Sequence, residues 1–185
     1  MKPSLSAFRR AAGFTLIELL IVMVLMGVLM AIGLPNLFNY IQHQKILGIT
    51  QQTAMVLRLA RLESIKTANN AVVKLDTAAA TVTGYMDLNQ NLTQDAAEPA
   101  LWRLDLPKGI TGSVTGFTTP PTPGVAVFRS NGSVGVPGGF RFLNSKGDQL
   151  EARVVSLNSG RVQILKLQGS TWKLQGEGGQ SWTWQ

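Results

Sequence analysis

The sequence predicts an α+β protein in which one long N-terminal helix precedes an antiparallel β domain. Residues 14–34 are almost entirely apolar, and a helix-like pattern continues to about Ala68. Beyond residue 70, short β-prone segments alternate with turn residues, which is typical of strands joined by hairpins. The chain has 185 residues, enough for one domain of ordinary size and an appendage.

The composition is apolar and mildly basic. Hydrophobic residues make up 45% of the chain and charged residues 15%, against about 25% charged in a typical soluble domain. The formal charge is +7, from 17 cations and 10 anions, and Lys2, Arg9 and Arg10 precede residue 13. Without that leader 14 cations face 10 anions, a charge of +4. This charge permits nucleic acid or anionic lipid as a partner without requiring either.

The residue types that most often carry catalysis are scarce. Cysteine is absent, which excludes disulfides, thiolate metal sites and cysteine nucleophiles. His43 is the single histidine, so a histidine triad or zinc site is not expected. The aspartates are scattered among predicted loops and strand ends, and no two of them pair for acid–base chemistry: Asp76, Asp87, Asp95, Asp105 and Asp148. We therefore predict a protein that is not an enzyme and has no cofactor and no small-molecule substrate.

The apolar block at residues 14–34 predicts a membrane-spanning helix. It is interrupted only by Thr15, Glu18 and glycines, and about 20 such residues are what a helix needs to cross roughly 30 Å of hydrocarbon. The basic leader marks the cytoplasmic side, so the C-terminal bulk should face outward. An ordinary secretory signal has a shorter apolar core and a small-residue cleavage site after it, and this block has neither feature.

Glu18 is the unusual residue of this segment. A carboxylate within an apolar span costs about 2.5–3.5 kcal/mol on insertion scales, which makes it a functional-site candidate. The alternative is a charge near the helix end that reaches the membrane interface. Glu18 is the fifth residue after Gly13, and this spacing favours the functional interpretation.

The string Gly-Phe-Thr-Leu-Ile-Glu-Leu-Leu at residues 13–20 resembles the processing and methylation site of type IV pilins and pseudopilins. The resemblance implies cleavage after Gly13 by a prepilin peptidase and N-methylation of Phe14. It also implies that Glu18 faces the N-terminal amine of a neighbouring subunit, where pairing offsets the cost of burying both charges. Pro35 stands where pilin helices commonly carry a proline that kinks or locally melts the helix.

After Pro35 the sequence predicts an amphipathic helix over residues 35–69. Apolar residues at spacings of four and three form one stripe, on which a globular domain is expected to pack. The stripe consists of Met55, Leu59, Leu62 and Ile65, and Arg58, Arg61 and Lys66 lie largely off it. Asn69 and Asn70 are expected to end the helix, because asparagine tolerates the left-handed conformation of a helix end.

The remaining chain predicts seven strands. They cover residues 71–75, 81–86, 101–106, 125–129, 140–143, 151–157 and 161–167. Turns are expected at residues 131–132, 146–148 and 158–160, and loops at 87–100 and at 118–124, which contains three prolines. The glycine-rich run at 132–139 lacks the Lys-Ser/Thr ending of a phosphate-binding loop and is expected to be a turn region.

Three further sequence strings narrow the resemblance to particular groups of pilins and pseudopilins. Residues 57–66, followed directly by a strand, are similar to the minor pilins of the FimT/FimU group and to GspH pseudopilins, and so are residues 127–133 and 160–162. The resemblance implies a β-sandwich head packed on the helix, so that residues 1–13 form a leader, 14–34 the membrane and filament-core helix, 35–69 the amphipathic helix and 70–185 the head. It implies a type IV pilus or type II secretion pseudopilus subunit that sits at filament tips or primes assembly. Such subunits are anchored in the bacterial inner membrane with the head in the periplasm. The implied partners are other pilins, the prepilin peptidase and the inner-membrane assembly platform.

DNA binding is the alternative function. The candidate phosphate contacts are Arg141, Arg153, Arg161 and Lys166, and Trp172, Trp182 and Trp184 are candidates for base stacking. Some FimT-type pilins are DNA receptors for natural transformation and carry a Gly-Arg-x-Arg string, whereas residues 160–163 read Gly-Arg-Val-Gln. The competing interpretation is that these cations are solvated strand residues and that the tryptophans seal the sandwich or meet the next subunit.

Overall fold

In the computed structural model, residues 14–98, 100–117, 124–174 and 182 are described. They form one helix and two antiparallel sheets, in agreement with the predicted α+β class. The chain divides into two compact units, residues 1–39 and residues 40–185. The elements are α1 (Leu16–Thr67), β1 (Asn70–Asp76), β2 (Thr81–Asp87), β3 (Ala100–Asp105), β4 (Ile110–Gly116), β5 (Val125–Phe128), β6 (Gly138–Asn144), β7 (Gln149–Val154), β8 (Val162–Gln168) and β9 (Thr171–Leu174).

The first unit contains the apolar N-terminal part of α1. Every described residue from 14 to 38 is exposed, and α1 is the one helix of the described residues that is long and apolar enough to cross a membrane. The helix continues through Pro35; a kink or local melting at this proline stays a prediction from the resemblance. Proline removes a single backbone hydrogen bond, and the turns on either side keep theirs.

The second unit buries a different face of α1 from the one expected. The expected stripe, which we call the outer stripe, consists of Met55, Leu59, Leu62 and Ile65 and is not part of the buried core: Met55 is 58% and Leu62 59% exposed. The buried face combines aliphatic residues with small ones at the same spacings of three and four. The aliphatic residues are Ile46, Ile49, Val56 and Leu57, and the small ones are Thr50, Thr53, Ala54, Ala60 and Ser64. Small side chains let a helix approach a sheet closely, and both faces have helical periodicity, so the pattern alone could not distinguish them.

The first sheet has the strand order β3-β2-β1-β5, and β1 is paired on both sides. Val73 faces Gly84 on β2 and Ala126 on β5. Both faces of this sheet are buried. Val73 and Leu75 point into the main core, and Val72 packs with Tyr85 on the opposite face.

The second sheet has the order β4-β6-β7-β8-β9. Phe142 on β6 faces Leu150 on β7, which in turn faces Lys166 on β8. One isolated bridge, from Phe128 to Val134, connects the end of β5 to the segment before β6. The two sheets and the C-terminal part of α1 share a single hydrophobic core, in which Leu57, Phe140 and Phe142 are fully buried.

The predicted turns and strands largely match the structure. Gly132, Gly147 and Gly160 have positive φ angles of 75°, 91° and 53°, as the predicted turns require. All seven predicted strands are present, with ends shifted by a few residues. Two strands were missed: β4, whose two glycines weaken its β pattern, and β9, which has only four residues.

Two smaller predictions are refined. Ala68, not an asparagine, takes the left-handed conformation after α1, with φ 55°, and the Asn69 side chain donates a hydrogen bond to the Thr67 carbonyl (3.0 Å). Gly138 and Gly139 belong to β6 and not to a turn region. The predicted loop at 118–124 lies outside the described residues except for Gly124.

Candidate assembly segment and basic surfaces

The assembly segment begins just before α1. Gly13 lies outside the described residues, and Phe14 precedes the helix with its side chain 84% exposed. Thr15 caps the helix, because its Oγ1 accepts a hydrogen bond from the Glu18 backbone N–H (3.2 Å). Glu18 therefore lies in the first turn, where the helix dipole favours a carboxylate.

The Glu18 side chain has no cation beside it in the part of the chain that the structure describes. The ion pairs found there all lie between residues 43 and 166. All residues around Glu18 from Phe14 to Leu25 are exposed, and most are large and apolar. The segment thus presents one carboxylate on an apolar surface.

Two of the predicted DNA contacts share one buried carboxylate. Arg141 lies 3.2 Å and Arg153 2.6 Å from Glu151, which is completely buried. Thr115 also donates a hydrogen bond to Glu151 Oε1 (2.9 Å). The two arginines thus neutralise a buried charge of the second sheet, and less of their charge is available to an external anion.

The Glu151 carboxylate occupies space that a side chain at position 139 would fill. Gly139 faces Arg153 in the neighbouring strand, and a Cβ on Gly139 would overlap the Glu151 carboxylate, with its Cδ at 2.9 Å. Since Arg141, Arg153 and Thr115 hold Glu151, the side chain cannot move without losing these contacts. Gly139 therefore has a packing role that the glycine-rich run did not reveal.

We expect Gly139→Ala to destabilise the fold by about 1–3 kcal/mol, the usual cost of overpacking a filled site. The matched control is Gly48→Ala in α1, where an added Cβ meets nothing within 4 Å and should stabilise the helix by about 0.5–1 kcal/mol. Denaturant unfolding of the full chain in detergent measures both. Equal stability of the two variants would contradict the packing role of Gly139.

Lys166, the third predicted DNA contact, lies inside the head. Its side chain is 2% exposed, and its Nζ is 2.9 Å from Asp148 Oδ1. Asp148 Oδ2 lies 3.3 Å from His43 Nε2 and accepts a hydrogen bond from Asn144 (3.0 Å). These side chains connect α1, β8 and the β6–β7 turn, and the Lys166–Asp148 pair does not face solvent.

Arg161, the fourth predicted contact, is exposed and lies near two arginines of α1. Arg58 donates to the Val162 carbonyl (3.4 Å) and Arg61 to the Gly132 carbonyl (3.2 Å). The three arginines line a cavity of about 410 Å³. The sequence analysis did not predict this group of three arginines. The available signal was the pair of glycines at 132 and 160, which mark two loops that α1 can approach closely. A Cβ on either glycine would come within about 3.3 Å of the Arg61 side chain, so the glycines let the helix approach both loops.

The tryptophans have two kinds of environment. The Arg141 guanidinium lies 4.6 Å from the centre of the Trp172 ring, a cation–π contact that occupies that ring face. Trp182 is buried in the main core and donates a hydrogen bond to the Lys173 carbonyl (3.3 Å). Trp184 lies outside the described residues. The location of Trp182 agrees with the sealing role that was the alternative to base stacking.

The β2–β3 loop contains buried carboxylates that accept backbone hydrogen bonds. Asp87 accepts from the amides of Asn91 (3.0 Å) and Leu92 (3.2 Å), and Glu98 from that of Leu88 (2.7 Å). Desolvation raises the pKa of Asp87, partly opposed by these backbone bonds. Desolvation also raises the pKa of Tyr85 to about 12, so its hydroxyl stays protonated. Within the described residues no group of three acidic, histidine or cysteine side chains is arranged to hold a metal ion.

Comparisons with known proteins agree with this architecture. Residues 8–34 match the prokaryotic N-terminal methylation motif, and residues 50–160 match the family described as type II transport protein GspH. No curated protein sequence matches the chain.

The chain is also similar to solved protein structures. The minor pseudopilin EpsH from the type 2 secretion system of Vibrio cholerae has a TM-score of 0.51 at 17% identity, over 66% of this chain and 97% of that one. The type IV minor pilin FimU of Pseudomonas aeruginosa has a TM-score of 0.49 at 14% identity, over 72% of this chain and 96% of that one. At these identities the EpsH likeness shows the fold. The GspH match covers more than half of the chain, so the chain belongs to the family described as type II transport protein GspH, and it carries the prokaryotic N-terminal methylation motif.

Proposed function

We propose that the chain is a non-catalytic subunit that joins or primes a type IV pilus or type II secretion pseudopilus through its N-terminal segment. After cleavage at Gly13 the new N-terminus is Phe14, which the prepilin machinery methylates. Glu18 then pairs with the Phe14 amine of a neighbouring subunit. The observation that carries this proposal is Glu18 itself, a carboxylate in the first turn of an exposed apolar helix with no cation beside it among the described residues.

The physical reason lies in the cost of isolated charges. In a filament core a lone carboxylate and a lone ammonium are each strongly destabilising, whereas a hydrogen-bonded pair offsets the cost of both. The pair therefore favours insertion of the subunit into the filament at the axial position where Glu18 reaches the neighbouring amine. The head, which has its own core, would remain outside the membrane.

The test follows the full chain in its own host. Mass spectrometry of chain recovered from sheared filaments should show a mature protein that begins at N-methylated Phe14. The membrane fraction should contain the same processed form together with some precursor. Filaments that lack the chain, or that contain it with residues 1–13 attached, would contradict the proposal.

DNA binding is the second candidate function, and its support now rests mainly on Arg161. Arg161 lies with Arg58 and Arg61 around one exposed cavity, whereas Arg141 and Arg153 pair with Glu151 and Lys166 pairs with Asp148. An electrophoretic shift of duplex DNA by the full chain in detergent, at low and high salt, tests this function. A shift that Arg161→Ala weakens, with a reduced salt slope, would favour it; no shift at low salt would reject it.

A further inference from the structure

One face of α1 in the second unit is apolar and largely exposed, although the Ile65 side chain lies against Gly132. Met55 and Leu62 of the outer stripe are more than half exposed, and Ile65 is 46% exposed. Single exposed apolar residues are ordinary, but these lie on one helix face over three turns and so form a contiguous patch. On one side the patch continues to β3, where Met55 and Leu59 line a shallow cavity of about 360 Å³ with Leu101 and Leu104.

The other side of the patch is basic. Arg58, Arg61 and Arg161 surround a second cavity whose lining includes Leu62 of the outer stripe. Arg58 and Arg61 each donate a hydrogen bond to a backbone carbonyl, whereas a guanidinium has five donors. None of the three forms an ion pair with a carboxylate of the described chain, although Arg141 and Arg153 of the same head do.

We propose that this surface, the outer stripe with Arg58, Arg61 and Arg161, docks a neighbouring pilin-type subunit that presents carboxylates beside aliphatic side chains. The proposal rests on the filament membership proposed above. Arginine matches a carboxylate with two parallel hydrogen bonds, and the aliphatic stripe requires an apolar counterpart to be removed from water. A partner with both features satisfies both halves of the surface.

The same arginines could attract nucleic acid, but the stripe beside them favours a protein. A phosphate backbone offers no aliphatic surface to Met55, Leu62 and Ile65, and single-stranded bases stack on aromatic rings. No aromatic side chain lines the arginine cavity, and Trp102 lies on the other side of the stripe, in the cavity that Met55 and Leu59 line. The combination of guanidinium groups with methionine, leucine and isoleucine is instead typical of the centre of a protein–protein interface.

The first experiment is photo-crosslinking of the full chain in cells that assemble the filament. A photoreactive phenylalanine analogue replaces Leu62, and the control carries it at Thr111, which is exposed on β4 in the second sheet. The Leu62 probe should form an adduct with another pilin-type subunit, and the crosslinked peptide should contain Asp or Glu. The Thr111 probe should form at least about tenfold less adduct, because specific contact requires the docked surface.

The second experiment reverses charge at this surface. Arg58→Glu/Arg161→Glu, in the chain that carries the Leu62 probe, should lower the adduct at least about tenfold, because like charges across an interface cost several times the thermal energy. The control, Lys108→Glu/Lys146→Glu, changes the net charge by the same amount at two other exposed sites and should keep the adduct within about twofold. Equal membrane levels of processed chain establish that both variants fold.

The outcomes separate the docking proposal from the proposed function. Filaments that contain the chain but give no Leu62 adduct, or an adduct unaffected by the reversal, would overturn the docking proposal alone. An adduct that nuclease removes would assign the surface to nucleic acid and overturn it as well. Absence of the wild-type chain from filaments would overturn both.

Discussion

Glu18→Ala should leave membrane insertion and cleavage at Gly13 intact while it lowers the amount of chain in sheared filaments by about 100-fold or more. Breaking one side of a buried ion pair costs about 3–5 kcal/mol, and about 1.4 kcal/mol changes an equilibrium constant tenfold. The substitution makes the apolar segment more apolar, so we expect insertion into the membrane to be unaffected. Alanine keeps the first turn helical, and the Thr15 cap uses the backbone N–H of residue 18, which remains.

The measurement is quantitative immunoblotting of filament and membrane fractions. Glu63→Ala is the matched control, because Glu63 also lies on α1 and pairs with exposed Lys66 at 3.3 Å, a contact worth at most about 0.5 kcal/mol. It should assemble normally. Recovery of Glu18→Ala in filaments at the wild-type level would reject the pairing mechanism, whereas loss of the chain from membranes would indicate a defect in insertion.

Asp148→Ala should destabilise the head by about 3–5 kcal/mol, because it removes the carboxylate from a buried charge pair. Asp148 is 3% exposed, and it accepts contacts from Lys166 at 2.9 Å and from Asn144 at 3.0 Å. The Asp148 backbone N–H donates a hydrogen bond to Asn144 Oδ1 (2.9 Å), so Asn144 contacts both the carboxylate and the backbone of Asp148 in this turn. The variant therefore loses the ion pair and loosens the β6–β7 turn together.

Chemical unfolding of the full chain in detergent, followed by tryptophan fluorescence, measures the loss because Trp182 is buried in the core. Asp105→Ala is the control. The Arg103–Asp105 pair is largely exposed, at 63% and 76%, and its removal should change stability by no more than about 0.5 kcal/mol. A loss below about 1 kcal/mol for Asp148→Ala would show that Lys166 gains little from this carboxylate.

The basic residues illustrate what a sequence pattern cannot resolve. The local sequence does not distinguish the four cations that were predicted to contact DNA. Each lies in or beside a β-prone segment: Arg141, Arg153, Arg161 and Lys166. Side chains alternate between the two faces of a strand, and a residue's face depends on the register and on what covers the sheet. Lys166 therefore lies inside the head, paired with Asp148. Arg161 instead lines a surface cavity together with two arginines that are about 100 positions away in the chain.

The N-terminal segment was determined by the sequence alone. The methylation motif and the apolar run are local patterns of consecutive residues, so predicting them does not depend on contacts with distant parts of the chain. Tertiary structure decided which face of α1 is buried, because two faces share the same helical period and the sheets accept the one with smaller side chains. That choice left Met55, Leu62 and Ile65 at least partly exposed beside Arg58 and Arg61, which the helical period of the sequence could not indicate.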